Sequence, residues 1–178
     1  MEIRVFVAVS VDGFIARQDG AIDWLPQPDG SAEDYGYQEL LNASDVLLMG
    51  RRTFETVLGF GEWPYGSLPV VVASSCLSRE GFPSWVPGTV DVSSRPLADL
   101  LEDLERRGFQ SIYADGGMLI QSLLRLGAVR ELVLTRIPVL LGSGRSLFGP
   151  VDGDIGLEHQ HTRSWANGLV QSRYRVSR

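Results

Sequence analysis

Arg51 and Arg52, set between Gly50 and Thr53, are the most chemically loaded pair in the sequence. They follow a short apolar run, Val46 to Met49, and open a helical pattern that reaches Leu58. At a helix start, the dipole, the free backbone N–H groups and guanidinium forks all favour an anion such as phosphate. Thr53 adds a hydroxyl donor. The plainer alternative is two solvent-exposed arginines. A second strand-to-helix junction reads Tyr113-Ala114-Asp115-Gly116-Gly117-Met118-Leu119. Its paired glycines let a ligand approach the backbone where helix N–H groups point outward, or serve only as a tight turn. Two anion sites at strand ends suit a ligand with phosphates in more than one place, as in a dinucleotide.

Two further segments frame these. Ser10-Val11-Asp12-Gly13-Phe14-Ile15-Ala16 follows the first strand, and its Asp-Gly supplies a turn across the strand's carboxyl end. Pro138 to Phe148 holds a glycine-rich turn, Gly142-Ser143-Gly144. It lacks a strand-to-helix context and reads as a structural or substrate-edge element. The sequence contains neither G-x-G-x-x-G nor a Walker A loop, and no G-x-S-x-G elbow. Every basic residue is arginine, so lysine Schiff-base chemistry is excluded. His159 and His161, two apart on a probable strand, have no nearby cysteine and read as surface residues; no metal site is expected.

The elements that must position these residues alternate. Residues 3–9, Val46 to Met49, Pro69 to Ala73, Val90 to Val92, Ser111 to Ala114 and Val129 to Ile137 read as strands. Helices are predicted from Ser31 to Ala43, Arg51 to Leu58, Pro96 to the stop at Gly108, and Gly117 to Leu126. Gly156 to Arg163 and Leu169 to Val176 form two strands around an Asn167-Gly168 turn, a strong hairpin signal. The pattern predicts an α/β domain spanning residues 1–178, with a mostly parallel sheet and an antiparallel C-terminal hairpin.

The 178 residues suffice to bury roughly 70% of the unfolded surface without disulfides or metal. A net charge of −6 argues against a nucleic-acid binder, and the single Cys76 excludes a disulfide framework. No apolar run reaches the length of a membrane span, and Met1-Glu2-Ile3-Arg4 does not read as a signal peptide. A cytoplasmic protein is expected.

Taken in order, these segments resemble the dihydrofolate reductase superfamily, above all the branch containing the C-terminal reductase domain of the bifunctional riboflavin-biosynthesis deaminase-reductase. Ser10-x-Asp12-Gly13-x-Ile15-Ala16, Gly116-Gly117, and Pro138-Val139 through Gly142-x-Gly144-x-x-Leu147-Phe148 are similar to that branch. Gly50-Arg51-x-Thr53 is closer to dihydrofolate reductases. No deaminase zinc motif is present. The chain therefore looks like a stand-alone reductase lying between the two groups.

The resemblance implies a dihydrofolate-reductase-like central mixed sheet flanked by helices, with NADPH across its carboxyl edge. Arg51 and Arg52 would hold the 2′-phosphate or pyrophosphate, and Gly50 and Thr53 the pyrophosphate at the helix start. Gly116, Gly117, Met118 and Leu119 would hold it from the other helix, through a Gly-Gly peptide that the family often keeps cis. Ser74 and Ser75 would line the adenosine side, and Ala8 and Ile15 the nicotinamide. Phe14, Trp24 and Tyr37 are candidates to pack on a flat heterocyclic substrate, with core packing as the alternative. Asp34 falls where dihydrofolate reductases place the acid that assists protonation, so a raised pKa is expected there. Ser31-x-x-Asp34 also fits a helix-capping box. The implied activity is reduction of a C=N unit, in the 5-amino-6-(5-phosphoribosylamino)uracil or in a pterin. A non-catalytic nucleotide-binding module of the same fold is the other reading, and a homodimer is implied.

Overall fold

The computed structural model describes residues 1–26 and 33–177. Its centre is an eight-stranded sheet ordered β5-β4-β3-β6-β1-β7-β10-β9. The first six of these, β5 (Val90–Ser93), β4 (Val70–Ala73), β3 (Val46–Gly50), β6 (Ser111–Asp115), β1 (Glu2–Ser10) and β7 (Val129–Ile137), run parallel. Then β10 (Val170–Val176) pairs antiparallel with β7, and β9 (Leu157–Ser164) antiparallel with β10.

The interior strands are apolar on both faces because both faces are covered. On one face, Ile3, Val5, Leu48 and Ile112 pack against Leu100 and Leu104 of α3 (Leu97–Arg106) and Ile120 and Leu123 of α4 (Gly117–Arg125). On the other, Leu47, Met49, Val70 and Tyr113 meet Leu40 of α1 (Tyr37–Asn42) and Phe54 and Val57 of α2 (Arg51–Leu58). The alternation along β3 explains the division: Leu47 and Met49 face one layer, Leu48 the other.

Chain order fixes where a crevice opens. From β1 the chain builds outward through β3, β4 and β5, then returns to insert β6 between β3 and β1. Helices leave the sheet in opposite directions around that insertion, which is where open α/β sheets bind ligands.

Most predicted elements appear, with three differences. The helix expected over Ser31–Ala43 is only α1, Tyr37–Asn42; Ser31 lies outside the described residues. Tyr35 and Gly36 both take left-handed φ, +57° and +87°, so the helix starts only after them. A short antiparallel pair, β2 (Phe14–Ala16) with β8 (Arg145–Ser146), was not expected. The third difference is a short 3₁₀ turn at Arg79–Gly81. The hairpin stands as expected, with Gly168 at φ +86° in its turn. All eight residues of β9 are exposed, and among the described residues no strand pairs with its outer edge.

Candidate active site

A cleft of about 1270 Å³ runs across the carboxyl ends of β1, β3, β4 and β6. Two helix starts face each other in it. A Cβ placed on Gly116 would lie 2.6 Å from Thr53 Oγ1 and 3.5 Å from the Gly50 nitrogen. Only glycine therefore lets the β6–α4 junction approach the start of α2, and its φ of +110° suits glycine too. The peptide between Gly116 and Gly117 is trans, not the cis form the resemblance suggested; among the described residues no peptide is cis. A Cβ on Gly117 would meet Ile15 Cδ1 at 2.7 Å, so this second glycine makes room for Ile15. The first N–H groups of both helices lack intrahelical acceptors and converge on the same space.

The residues expected at a cofactor come together here. Gly50, Arg51, Arg52 and Thr53 line the cleft from α2, and Gly116 to Leu119 from α4. Ala8 and Ile15 line it from β1 and β2, and Ser74 and Ser75 from the end of β4. Arg51 Nε lies 3.7 Å from Glu55, a loose i,i+4 pair, with Arg51 about half exposed. The hydroxyl of Ser74 is already committed: it accepts from the Cys76 and Leu77 nitrogens at 3.3 and 3.2 Å and so shapes the turn. Ser75 is exposed beside it.

Of the residues expected at the substrate, Tyr37 lines the cleft. Phe14 and Trp24 do not. Phe14 packs against Gly144, where a Cβ would come within 3.2 Å of its ring, and so joins β2 to β8. Trp24 is half-buried, while its neighbours Ile22 and Leu25 reach the cleft instead.

Asp34 is outside the cleft and exposed. Its Oδ2 accepts from the Gln38 nitrogen at 2.7 Å and its Oδ1 from the Gly36 nitrogen at 2.9 Å. These two N–H bonds, the Gln38 one foremost, hold its carboxyl below the ordinary aspartate range. The raised pKa expected for Asp34 is thus reversed: it caps α1 from two residues before Gly36.

The acid in the cleft is Asp115. It ends β6, immediately before the diglycine, and burial pushes its pKa up to about 6 against a smaller lowering by the Gly116 N–H. Around it stand three phenols. Tyr37, Tyr65 and Tyr113 all line the cleft, and burial together with the Asp115 charge raises the pKa of each. Tyr113 donates to the Phe6 carbonyl at 3.4 Å and meets Tyr37 edge to face at 6.3 Å. A signal for this cluster was available in the strand period: Tyr113 and Asp115 are two apart and share a face at the carboxyl end of an interior strand.

The Ser10–Asp12 loop proves to be a staple. Ser10 Oγ donates to Asp12 at 2.6 Å, and Asp12 accepts from the Leu141 and Gly142 nitrogens at 3.2 and 2.7 Å. The glycine-rich segment is thereby tied to the end of β1, and β8 delivers Arg145 and Ser146 to the cleft wall. Among the described residues no group of three His, Cys, Asp or Glu side chains is placed to hold a metal ion.

Comparison with known proteins agrees with this layout. Residues 2–171 match the model of the RibD C-terminal domain. The chain belongs to the RibD C-terminal domain family. Within it, the chain is 29% identical over 166 residues to Bacillus subtilis (strain 168) protein YwjB, covering 93% of this chain and 92% of that one. To protein YyaP of the same strain it is 30% identical over 177 residues, covering 94% and 91%. A crystal structure from Shewanella sp. PV-4, of a protein provisionally named for riboflavin biosynthesis, superposes with a TM-score of 0.90 at 36% identity over all of both chains. The Thermotoga maritima diaminohydroxyphosphoribosylaminopyrimidine deaminase/5-amino-6-(5-phosphoribosylamino)uracil reductase shares the fold, with a TM-score of 0.71 at 16% identity. There 99% of this chain covers 56% of that one. The mostly parallel mixed sheet, with its dihydrofolate-reductase-like fold, is thus common to this chain and these structures.

Proposed function

We propose that the chain is an NADPH-dependent reductase of a C=N bond in a pyrimidine- or pterin-like compound, acting in the cytoplasm as a homodimer. The observation that carries this reading is the meeting of two helix starts and a desolvated carboxyl in one cleft. The close approach of Gly116 to Thr53 sets the starts of α2 and α4 side by side at the cleft, which fits a pyrophosphate held across both sets of helix N–H groups. Arg51 and Arg52 fit the added charge of a 2′-phosphate, and Ala8 and Ile15 offer apolar contact to a flat ring.

When bound, NADPH would supply the hydride. The chain's own residues do the rest. The apolar walls from Ala8, Ile15 and Tyr37 orient flat groups and exclude water. Reduction of C=N leaves a nitrogen that needs a proton. Asp115, with a pKa of about 6, is mostly ionised at neutral pH but keeps a protonated fraction that an ordinary aspartate lacks, and its carboxyl oxygen supplies that proton. The unpaired eight-residue edge of β9 supports the homodimer, which sedimentation at several concentrations would test.

Titrating the protein with NADPH and following cofactor fluorescence tests binding. Adding a pyrimidine or dihydropterin and following NADPH consumption tests reduction. Turnover should decline as pH rises through about 6, and lack of NADPH binding in folded protein would end this reading.

A further inference from the structure

The cleft is rich in positive charge, although the chain carries a net charge of −6. Arg51, Arg52, Arg95 and Arg145 line it, and Asp115 is the one acid among its described residues. Anions are therefore drawn to it. Arg51 and Arg52 open α2 at the end of β3, where a dinucleotide's phosphates fit, and Arg95 lies just past β5. Arg145 stands elsewhere. It is on β8, opposite Ala16 of β2, and β6 separates β3 from the β1 strand that leads into β2. Beside it in the cleft wall are Ile15 and Ser146, the two residues that a Cβ on Gly117 would meet.

The guanidinium of Arg145 is seated in advance. Its Nε donates to the Gln18 carbonyl at 3.3 Å. A Cβ on Gly20 would lie 3.0 Å from both terminal nitrogens and 3.1 Å from Cζ, so the group lies face-on over the place a side chain would take. Glycine, at a φ of +98°, keeps that place empty. The acids of the same loop turn elsewhere. Asp23 binds Arg17 through both oxygens at 2.7 and 2.9 Å, and Asp19 accepts from the Ala21 nitrogen at 2.9 Å. Among the described residues Arg145 has no acid partner, and its terminal nitrogens meet no acceptor. The pairing with β2 and the Asp12 staple hold the strand that carries it. A guanidinium anchored at Nε with both terminal amino groups free is a planar fork that matches a carboxylate or phosphate. Seating it beforehand lowers the ordering cost of binding.

We propose that Arg145 anchors an anionic group of the substrate, a carboxylate or a phosphate ester, and so decides which nitrogen heterocycles the site takes. The inference rests on the reading of the cleft as an NADPH-dependent reductase site, and adds the substrate's charge and the residue that reads it. NADPH carries its negative charge on the pyrophosphate and the 2′-phosphate, and none on the nicotinamide. Arg145 stands beside Ile15, the apolar contact proposed for that ring. An anion on Arg145 therefore belongs to the molecule that meets the ring.

The test uses the full chain. NADPH is titrated first by fluorescence. Absence of binding in folded protein ends the reductase reading and this inference with it, and every later outcome bears on Arg145 alone. Calorimetry with NADP+ bound, which blocks turnover, then compares two ligand pairs. One is 5-amino-6-(5-phosphoribosylamino)uracil and the same compound without its phosphate. The other is dihydrofolate and dihydropterin, which lacks the carboxylates. The anionic member of one pair should bind roughly tenfold to a hundredfold tighter than its neutral partner, and which pair does so identifies the anion. Arg145→Gln should abolish that advantage, with the affinities of the neutral member and of NADP+ kept. Gly20→Ala, whose Cβ would displace the guanidinium, should lose the same advantage and checks the result independently. An advantage that survives Arg145→Gln overturns the proposal. So does an equal loss of NADP+ affinity, which gives the guanidinium to the cofactor, and so does the absence of any advantage in both pairs.

Discussion

Asp34 and Asp115 stand in two regions that the sequence makes look alike: each is an acid at a junction beside a helix start. The segment around Asp34 is a clamp. Glu33 accepts from Trp165 Nε1 at 2.9 Å and pairs with Arg163 at 3.2 Å, and Tyr35 receives hydrogen bonds from Asn167 and Gln171. The hairpin tip is thereby bolted to the start of α1, and Asp34 spends its oxygens on backbone N–H groups. The segment around Asp115 is the reverse. Its acid ends a buried strand, has little hydrogen-bonding support and lines a cleft. The difference teaches that an acid's chemistry follows from who already holds its oxygens. A carboxylate satisfied by N–H groups is a structural ion, whereas a desolvated one is poised to exchange a proton.

The strongest way to break this contrast is Asp115→Asn. If Asp115 holds the proton for reduction, turnover should fall ~10²-fold or more and lose its decline above pH 6, with NADPH affinity kept. Stability should move the other way. The folded pKa, about 6, lies above the unfolded one, so the native state binds the proton more tightly. Cofactor-free protein should be most stable below about pH 4 with respect to this group, and lose that contribution as pH rises through 6. The asparagine variant should escape the loss and melt higher at pH 7. A lower melting temperature and unchanged turnover would make Asp115 a structural residue after all.

Two smaller effects probe the proposed cofactor contacts. Replacing Arg51 and Arg52 by alanine should weaken NADPH roughly tenfold to a hundredfold, and NADH less, because the 2′-phosphate is what the forks are placed to meet. Equal weakening of the two cofactors in a fluorescence titration would remove that assignment. Gly116→Ala should cost roughly tenfold in NADPH affinity, since its Cβ meets Thr53 Oγ1 and its φ is left-handed. Gly117→Ala should cost less: its Cβ meets Ile15 Cδ1 at 2.7 Å, which the flexible end of that side chain relieves, and the Ser146 carbonyl at 3.4 Å.

The sheet was legible because buried parallel strands are apolar throughout, as in Val46–Met49 and Val129–Ile137, and because glycine and proline mark the ends of α3 and α4. The two glycine-bearing helix starts were legible because local motifs build them: each carries its own residues. The phenol cluster was not. Tyr65 comes from the segment between α2 and β4, Tyr37 from α1 and Tyr113 from β6, and only strand order brings them to one place. The β2–β8 pair was illegible for a similar reason. Its two strands have three and two residues, and what joins them is Asp12 reaching the Gly142 turn across the chain. Asp34 was misread because a helix was expected to run through Tyr35 and Gly36, whose left-handed backbone instead frees two N–H groups for its carboxylate.

The smallest expected effect sharpens the other side of the comparison. Asp34→Ala removes both acceptors and should cost ~1 kcal/mol, the usual worth of a helix cap. In a chain of 178 residues that corresponds to a fall of about 2–4 °C in melting temperature. Asp34→Asn retains one carbonyl oxygen and should lose less. The pH dependence carries the sign opposite to that of Asp115. The folded pKa of Asp34 is lowered, so its contribution is present above about pH 4 and fades as pH falls through the lowered value. Exposure and salt screening keep that contribution small. Turnover and NADPH affinity should stay unchanged in both variants, because the nearest business of Asp34 is with Gly36 and Gln38. A large loss of turnover in Asp34→Asn with melting temperature unchanged would return Asp34 to the reaction and make the clamp a moving part of it.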